Sequence, residues 1–127
     1  MGNEAVDRRF PRRVYGHGTE PDPRFTLANE RTFLAWIRTS LALIAGGVAL
    51  EALGLSVDRG LRLAASLVLL VLGLVMPVVA WAHWGAVETA IRRDTHLPAP
   101  RLGLPVAVGV LVVAILVILG VLLGPGA

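Results

Sequence analysis

No cysteine and no lysine occur among the 127 residues of this sequence. Without cysteine the chain can form no disulfide bond, carry no thiolate nucleophile and bind no metal through thiolate ligands. Without lysine all twelve basic residues are arginines, whose guanidinium groups stay ionised and bind phosphate through paired hydrogen bonds. The positive charge of the chain is therefore permanent and suited to phosphate groups.

Charged residues are also scarce, at 17% of the sequence against about 25% in average soluble domains. Hydrophobic residues make up 55%, and the mean hydropathy is +0.70. This balance indicates an integral membrane protein, and the length fits one domain. The net charge of +3 then indicates contact with membrane lipids or an anionic solute, and we expect no nucleic-acid partner.

Three largely apolar stretches can each supply the roughly 20 helical residues that cross a bilayer. In the first, the uncharged run from Thr39 to Leu50 has only 12 residues, so the span must take in Arg38 and Glu51 just inside its two boundaries. The clearest of the three stretches contains no acidic or basic residue between Leu63 and Trp84. A longer helix should start at Asp22-Pro23, because aspartate is a preferred N-cap and proline suits the first helical position. We predict an all-α integral membrane protein whose first helix is extended by an amphipathic cytoplasmic segment. The three-helix domain is residues 23–127, with spans at about 34–55, 63–84 and 104–123.

Two details of these helices follow from single residues. Pro77 lies four residues after Gly73 in the second span, which predicts a bent but continuous helix. Glu51, near the end of the first span, should reach the outer interface or pair with Arg59 or Arg62.

Residues 1–22 show no helical or strand periodicity, and we predict a flexible basic cytoplasmic tail there. Its basic residues are Arg8, Arg9, Arg12 and Arg13. They serve as a topology signal or contact lipid headgroups.

Arginine is distributed unevenly about the three spans. Seven arginines occur up to Arg38 and three in the second loop, whereas the first loop has two and the segment after the third span has none. Because positive residues favour the cytoplasmic side, the N-terminus should be cytoplasmic and the C-terminus outside. The tryptophans agree, since all three fall at the same predicted interface: Trp36, Trp81 and Trp84.

The first helix carries a row of three arginines spaced by seven residues: Arg24, Arg31 and Arg38. At a spacing of seven residues, each arginine is rotated only about 20° around the helix axis from the one before, so all three lie on one side of the helix. The row continues into a patch of small residues, which let transmembrane helices approach closely: Ala42, Ala45, Gly46 and Ala49. Either this helix packs against copies of itself and the row faces an anion-attracting vestibule, or the arginines anchor the helix among headgroups.

Other polar residues flank this row. Asn29 and Glu30 lie at the membrane edge, where Glu30 should pair with an arginine of another helix. The second helix should continue about two turns beyond its span, because Arg92 and Arg93 suit a helix C-terminus. These two arginines either form a second part of the anion site or lie on a solvated helix end.

No pattern for enzyme chemistry is found. The three histidines show no metal-ligand spacing, and the sequence has no phosphate-binding loop, zinc-protease motif or nucleophile elbow. We therefore expect no catalytic residue, no metal and no cofactor.

The segment Leu27-Ala28-Asn29-Glu30-Arg31-Thr32-Phe33-Leu34-Ala35-Trp36, preceded by Asp22-Pro23-Arg24, resembles the signature of the YidH-like family, domain of unknown function 202. Weaker matches extend the resemblance over about residues 22–124. That family comprises small three-helix proteins of the bacterial inner membrane. Its signature is shared with the transmembrane subunit of the eukaryotic vacuolar transporter chaperone, a polyphosphate polymerase complex.

The resemblance implies a homo-oligomer, a pentamer by comparison with the eukaryotic complex, in which five such units surround a polyphosphate pore. Arg24 and Arg31 match basic positions that line its cytoplasmic side. Two departures are clear: Gly85 replaces a basic residue of the eukaryotic protein, and this chain has no polymerase domain.

Two hypotheses of function result. The first is a homo-oligomer whose arginine-lined vestibule binds or conducts an anion such as phosphate or polyphosphate. The second is a non-conducting structural or regulatory subunit that contacts another membrane protein through small residues, including Gly120 and Gly124.

Overall fold

The computed structural model describes residues 9–99 and 101–124, and within them every regular element is a helix. Residues 1–8, including Arg8 of the predicted tail, lie outside this range. The helices are α1 (Arg12–Tyr15), α2 (Pro23–Ala52), α3 (Arg59–Arg93) and α4 (Gly103–Leu123). The last three are long and apolar enough to cross a membrane. The predicted all-α fold with three membrane-spanning helices is therefore confirmed.

The ends of the long helices follow their capping residues. Asp22 accepts a hydrogen bond from the backbone N–H of Arg24 at 2.9 Å, so α2 begins where the sequence predicts. Asp58 accepts one from the N–H of Leu61 at 3.0 Å at the start of α3. At the other end Asp94 adopts a left-handed conformation with a φ of 53°. This conformation ends α3 two turns beyond Trp84, as expected.

Two serine–glycine pairs hold α2 against α3. The Ser40 hydroxyl donates to the carbonyl oxygen of Gly73 at 2.6 Å. The Ser66 hydroxyl donates to the carbonyl oxygen of Gly47 at 2.5 Å. Because the later residue on α2 pairs with the earlier residue on α3, the two helices are antiparallel.

The first of these pairs explains why α3 stays continuous through Pro77. Proline has no N–H, so the carbonyl of Gly73, four residues earlier, has no partner inside its own helix. The Ser40 hydroxyl is that missing partner. A single helix from Arg59 to Arg93 results, as the sequence predicts.

α4 packs against α3 and leaves much of its own surface exposed. Its end is fixed to the α2–α3 loop, where the N–H of Asp58 donates to the carbonyl oxygen of Gly120 at 2.9 Å. A side chain at Gly120 or Gly124 would meet Val57 of the same loop. The second hypothesis assigns these two glycines to contacts with another protein, whereas the structure uses them within the chain.

Glu51 of α2 and Arg62 of α3 form an ion pair at the same end of the bundle. The Nε atom of Arg62 lies 3.5 Å from a carboxylate oxygen of Glu51. Arg62 also donates to the carbonyl oxygen of Leu55 at 3.0 Å. The predicted pairing of Glu51 with one of the two nearby arginines is therefore present.

Candidate functional site

The arginine row of α2 lies on the outside of the chain. Arg24, Arg31 and Arg38 are all exposed. The buried residues of α2 are Asn29, Ser40, Leu43 and Gly47. At 3.6 residues per turn, the row lies roughly opposite this buried side. A single chain therefore forms no vestibule around the arginines, and any vestibule requires further copies.

Two more rows with the same spacing flank the arginines, and sequence analysis missed them. The first is Leu27, Leu34, Leu41 and Val48, each between 46% and 62% exposed. The second is Ala28, Ala35 and Ala42, all exposed. Apolar rows that repeat every seven residues are typical of helices that pack against each other with a left-handed supercoil.

The small-residue patch of α2 is divided between two environments. Ala42 and Ala45 are exposed, whereas Gly46 and Ala49 are partly buried. A side chain at Gly46 would lie 3.5 Å from Leu69 on α3. Only the exposed part of the patch is thus available for packing against another helix.

Arg24 already has an acidic partner. Its guanidinium lies 2.9 Å from the Asp22 carboxylate, although the arginine side chain stays 86% exposed. The hydrogen bonds from Arg24 hold the pKa of Asp22 below its ordinary value. Arg31 and Arg38 form no ion pair with any described residue.

Arg92 has a structural role that the sequence did not reveal. Its side chain is only 5% exposed and lies 3.3 Å from the Glu20 carboxylate. It also donates to the backbone oxygens of His17 and Tyr15, at 2.8 and 3.2 Å. The prediction that Arg92 extends the anion site of the α2 row is therefore not met within this chain. Its side chain binds the N-terminal segment instead.

The described part of the predicted flexible tail, residues 9–22, packs against α3. Val14 is 1% exposed and would contact a side chain at Gly85. The N–H of Thr19 donates to the carbonyl oxygen of Arg92 at 3.0 Å. The sequence did not predict this packing, because the apolar and hydrogen-bonding partners of the segment lie about 75 residues away, on α3.

This packing should weaken in acid. Hydrogen bonds, chiefly from Arg9 and then from Arg92, lower the pKa of Glu20 below its ordinary value of 4.5. Stabilisation from a lowered pKa is present above the ordinary value and is lost as the pH falls through the folded value. We expect a spin label on His17→Cys, the only thiol in the chain, to become more mobile as the pH falls below about 4.5. In Glu20→Gln the label should already be mobile at pH 7; equal mobility of both proteins at every pH would contradict this.

A buried polar cluster joins α2 to the C-terminal end of α3. Glu88 is 1% exposed. One of its carboxylate oxygens accepts from the Thr26 hydroxyl at 2.8 Å and the other from the Asn29 amide at 3.1 Å. The Asn29 amide also donates to the carbonyl oxygen of Trp84 at 3.1 Å. The sequence pointed to Asn29 but did not identify its partner.

Glu30 differs from its expected role. It is exposed, and it forms no ion pair with an arginine in the part of the chain that the structure describes. The carboxylate that ties the helices together is Glu88, and its partners are neutral donors. Helical geometry explains this difference. Glu30 is rotated about 100° from Asn29 around the axis of α2, so it does not face α3 as Asn29 does.

Aromatic side chains gather at the level where sequence places the interface. Trp81 and Trp84 stack with ring centroids 4.9 Å apart. Phe33 of α2 contacts Trp81 edge-on at 6.0 Å. Among the residues described, no three histidine or acidic side chains come together as a metal site would require.

Comparisons with known proteins match a family model over α2 and most of α3, and individual relatives over about three quarters of the chain. The DUF202 family, described as a domain of unknown function, matches residues 24–90. The chain is 46% identical over 99 residues to Rv2272, an uncharacterized protein of Mycobacterium tuberculosis, covering 76% of this chain and 80% of that protein. It is 42% identical over 103 residues to the inner membrane protein YidH of Escherichia coli, covering 79% of this chain and 88% of that protein. No solved structure matches.

Proposed function

This chain belongs to the DUF202 family, and from that premise we propose that it is a small protein of the bacterial cytoplasmic membrane. It assembles into a homo-oligomer with an arginine-lined vestibule. The name of its relative YidH, inner membrane protein, supports this location. The vestibule opens to the cytoplasm, with the N-terminus inside and the C-terminus outside. The excess of arginine near the N-terminus and the second loop supports this orientation.

The observation that carries the proposal is the exposed side of α2. Arg24, Arg31 and Arg38 lie there between the leucine row and the alanine row described above. Packing of α2 against α2 of neighbouring copies would bury both apolar rows and turn the arginines towards a shared axis. The five-fold arrangement implied by the eukaryotic relation is part of this proposal.

The depth of Arg38 supports the same arrangement. α2 has 30 residues and is roughly 45 Å long, whereas the hydrocarbon core is about 30 Å thick. Measured from Ala52, the hydrocarbon then ends near Phe33, so Arg38 lies inside it. An arginine that faces lipid at such depth costs up to about 3 kcal/mol. A hydrated vestibule removes much of that cost.

An anion is the ligand that this vestibule would attract. Fixed guanidinium groups between low-dielectric walls raise the local concentration of anions. Beyond Arg38 the same side of the helix continues with apolar residues, which suit a narrow apolar section that controls passage: Leu41, Ala42, Ala45 and Val48. Phosphate and polyphosphate match the paired donors of arginine.

Flux through liposomes tests this function. We expect Arg31→Ala to lower the flux of phosphate or short polyphosphate about tenfold, because Arg31 is the central charge of the row. Arg59→Ala removes an equal charge at the other end of the bundle and should leave the flux unchanged. Equal flux through wild type and Arg31→Ala would show that the row does not face a pore.

The alternative function is that of a non-conducting structural or regulatory subunit. The ion pair between Arg24 and Asp22 favours it, because that pair neutralises one of the three charges. The mass of the detergent-extracted protein separates the two functions. A closed oligomer of this chain supports the vestibule, whereas a monomer that is stable only with a different membrane protein supports the alternative.

A further inference from the structure

A groove of about 530 Å³ lies between α1, the cytoplasmic end of α3 and the loop that follows α3. Its α3 wall includes a line of residues along the helix, spaced by four, three and four: Ala82, Ala86, Thr89 and Arg93. Gly85 and Ala90 complete this wall. Glu88, Ser66 and Gly73, which contact α2, lie on a different side of α3. The groove is thus separate from the arginine row of α2.

The ionisable groups that line the groove in the described part of the chain are all basic. Arg13 of α1, Arg93 of α3 and His96 of the loop line it, and no acidic side chain among residues 9–99 and 101–124 does. Both arginines are exposed, and neither forms an ion pair with a residue that the structure describes. The Thr89 hydroxyl lines it as well; the Thr95 hydroxyl, also at the groove, donates to the carbonyl oxygen of Ala90 at 3.4 Å. Such donors match a phosphate group, which accepts several charge-assisted hydrogen bonds.

The other end of the groove is apolar and reaches the membrane. In the sequence, Ala82 follows Trp81 and precedes Trp84. The rings of these two tryptophans stack on each other and mark an interfacial level. From Ala82 to Arg93 the helix rises roughly 16 Å. Side chains on a helix tilt towards its N-terminus, so the Arg93 side chain leans back towards the bilayer. Basic groups and apolar wall therefore form one continuous surface at the height of lipid headgroups.

The geometry points to a binding site for an anionic phospholipid in this groove. Arg13, Arg93 and His96 bind the phosphate of the headgroup, and the glycerol backbone with the first carbons of an acyl chain lies over Ala86 and Ala82. The small side chains of these alanines leave the room that the lipid requires. A soluble phosphate would share the basic end of the groove but would leave its apolar end empty. This proposal requires membrane insertion and does not depend on the α2 vestibule.

Lipid titration of the full chain tests the site. The protein is purified in a neutral detergent and titrated with phosphatidylglycerol or phosphatidylcholine, and bound lipid is counted by native mass spectrometry. We expect retention of phosphatidylglycerol over phosphatidylcholine. The double variant Arg13→Gln/Arg93→Gln should bind it about 25-fold more weakly, since each arginine near an anionic lipid surface contributes roughly fivefold.

Two matched variants make the result specific. Arg12→Gln/Arg101→Gln removes the same charge from arginines that do not line the groove and should bind phosphatidylglycerol like wild type. Ala86→Trp keeps every basic group but fills the apolar end, and it should lose the lipid. Equal losses in the two double variants would overturn the site. Unchanged binding by Ala86→Trp, with displacement of the lipid by tripolyphosphate, would show that the ligand is a soluble phosphate and overturn the lipid assignment.

Discussion

Replacing Gly73 by leucine is expected to separate α2 from α3 and to lower the free energy of unfolding by about 3 kcal/mol. A side chain at Gly73 would collide with Ile44 and lie 3.1 Å from the carbonyl oxygen of Ser40. As the helices move apart, the Ser40 hydroxyl also loses the carbonyl oxygen of Gly73. That carbonyl has no second partner, because Pro77 follows it by four residues.

Thermal unfolding in detergent, followed by tryptophan emission, measures this effect. Gly103→Leu is the matched control, because a side chain there meets nothing within 4 Å. Ser40→Ala removes the hydrogen bond without the collision and should cost only about 1 kcal/mol. If Gly73→Leu unfolds at the same temperature as Gly103→Leu, the close contact between α2 and α3 at this point is wrong.

Replacing Glu88 by alanine should have an effect of similar size, about 3 kcal/mol. The substitution leaves the Thr26 hydroxyl and one N–H of the Asn29 amide without their acceptors. Asn29 is only 7% exposed, so water does not readily replace the carboxylate. The N-terminal end of α2 and the C-terminal end of α3 should then open before the rest of the bundle.

Hydrogen exchange of α2 amides, compared with thermal unfolding, tests this second prediction. Glu88→Gln should be mild, because its amide oxygen still accepts from Asn29 and its N–H group can donate to the Thr26 hydroxyl. Glu30→Ala removes an exposed carboxylate one residue from Asn29 and should change stability by less than about 0.5 kcal/mol. Equal destabilisation by Glu30→Ala and Glu88→Ala would show that burial of Glu88 is not the cause.

The arginine row shows how far sequence reasoning extends to the candidate site. A spacing of seven placed Arg24, Arg31 and Arg38 on one side of a helix, and the structure agrees. One of the two interpretations of Arg92 and Arg93 grouped them with that row, and the other placed them on a solvated helix end. In the structure Arg92 binds the N-terminal segment and Arg93 lines the groove on another side of α3. Two neighbouring residues on a helix differ by about 100°, and sequence alone does not orient α3 about its axis.

Sequence by itself determined the three helices, their approximate ends, the cap at Asp22 and the continuity of α3 through Pro77. These properties depend on local capping and on the length of apolar sequence that a bilayer requires. Only the tertiary structure decided that Glu88 is buried against Asn29, that Ser40 bonds Gly73, and that residues 9–22 pack on α3. Each of these contacts joins residues far apart in the chain, and each depends on how two helices are rotated and shifted against each other. Hydropathy does not specify that rotation, because an apolar helix in lipid is apolar on nearly every side.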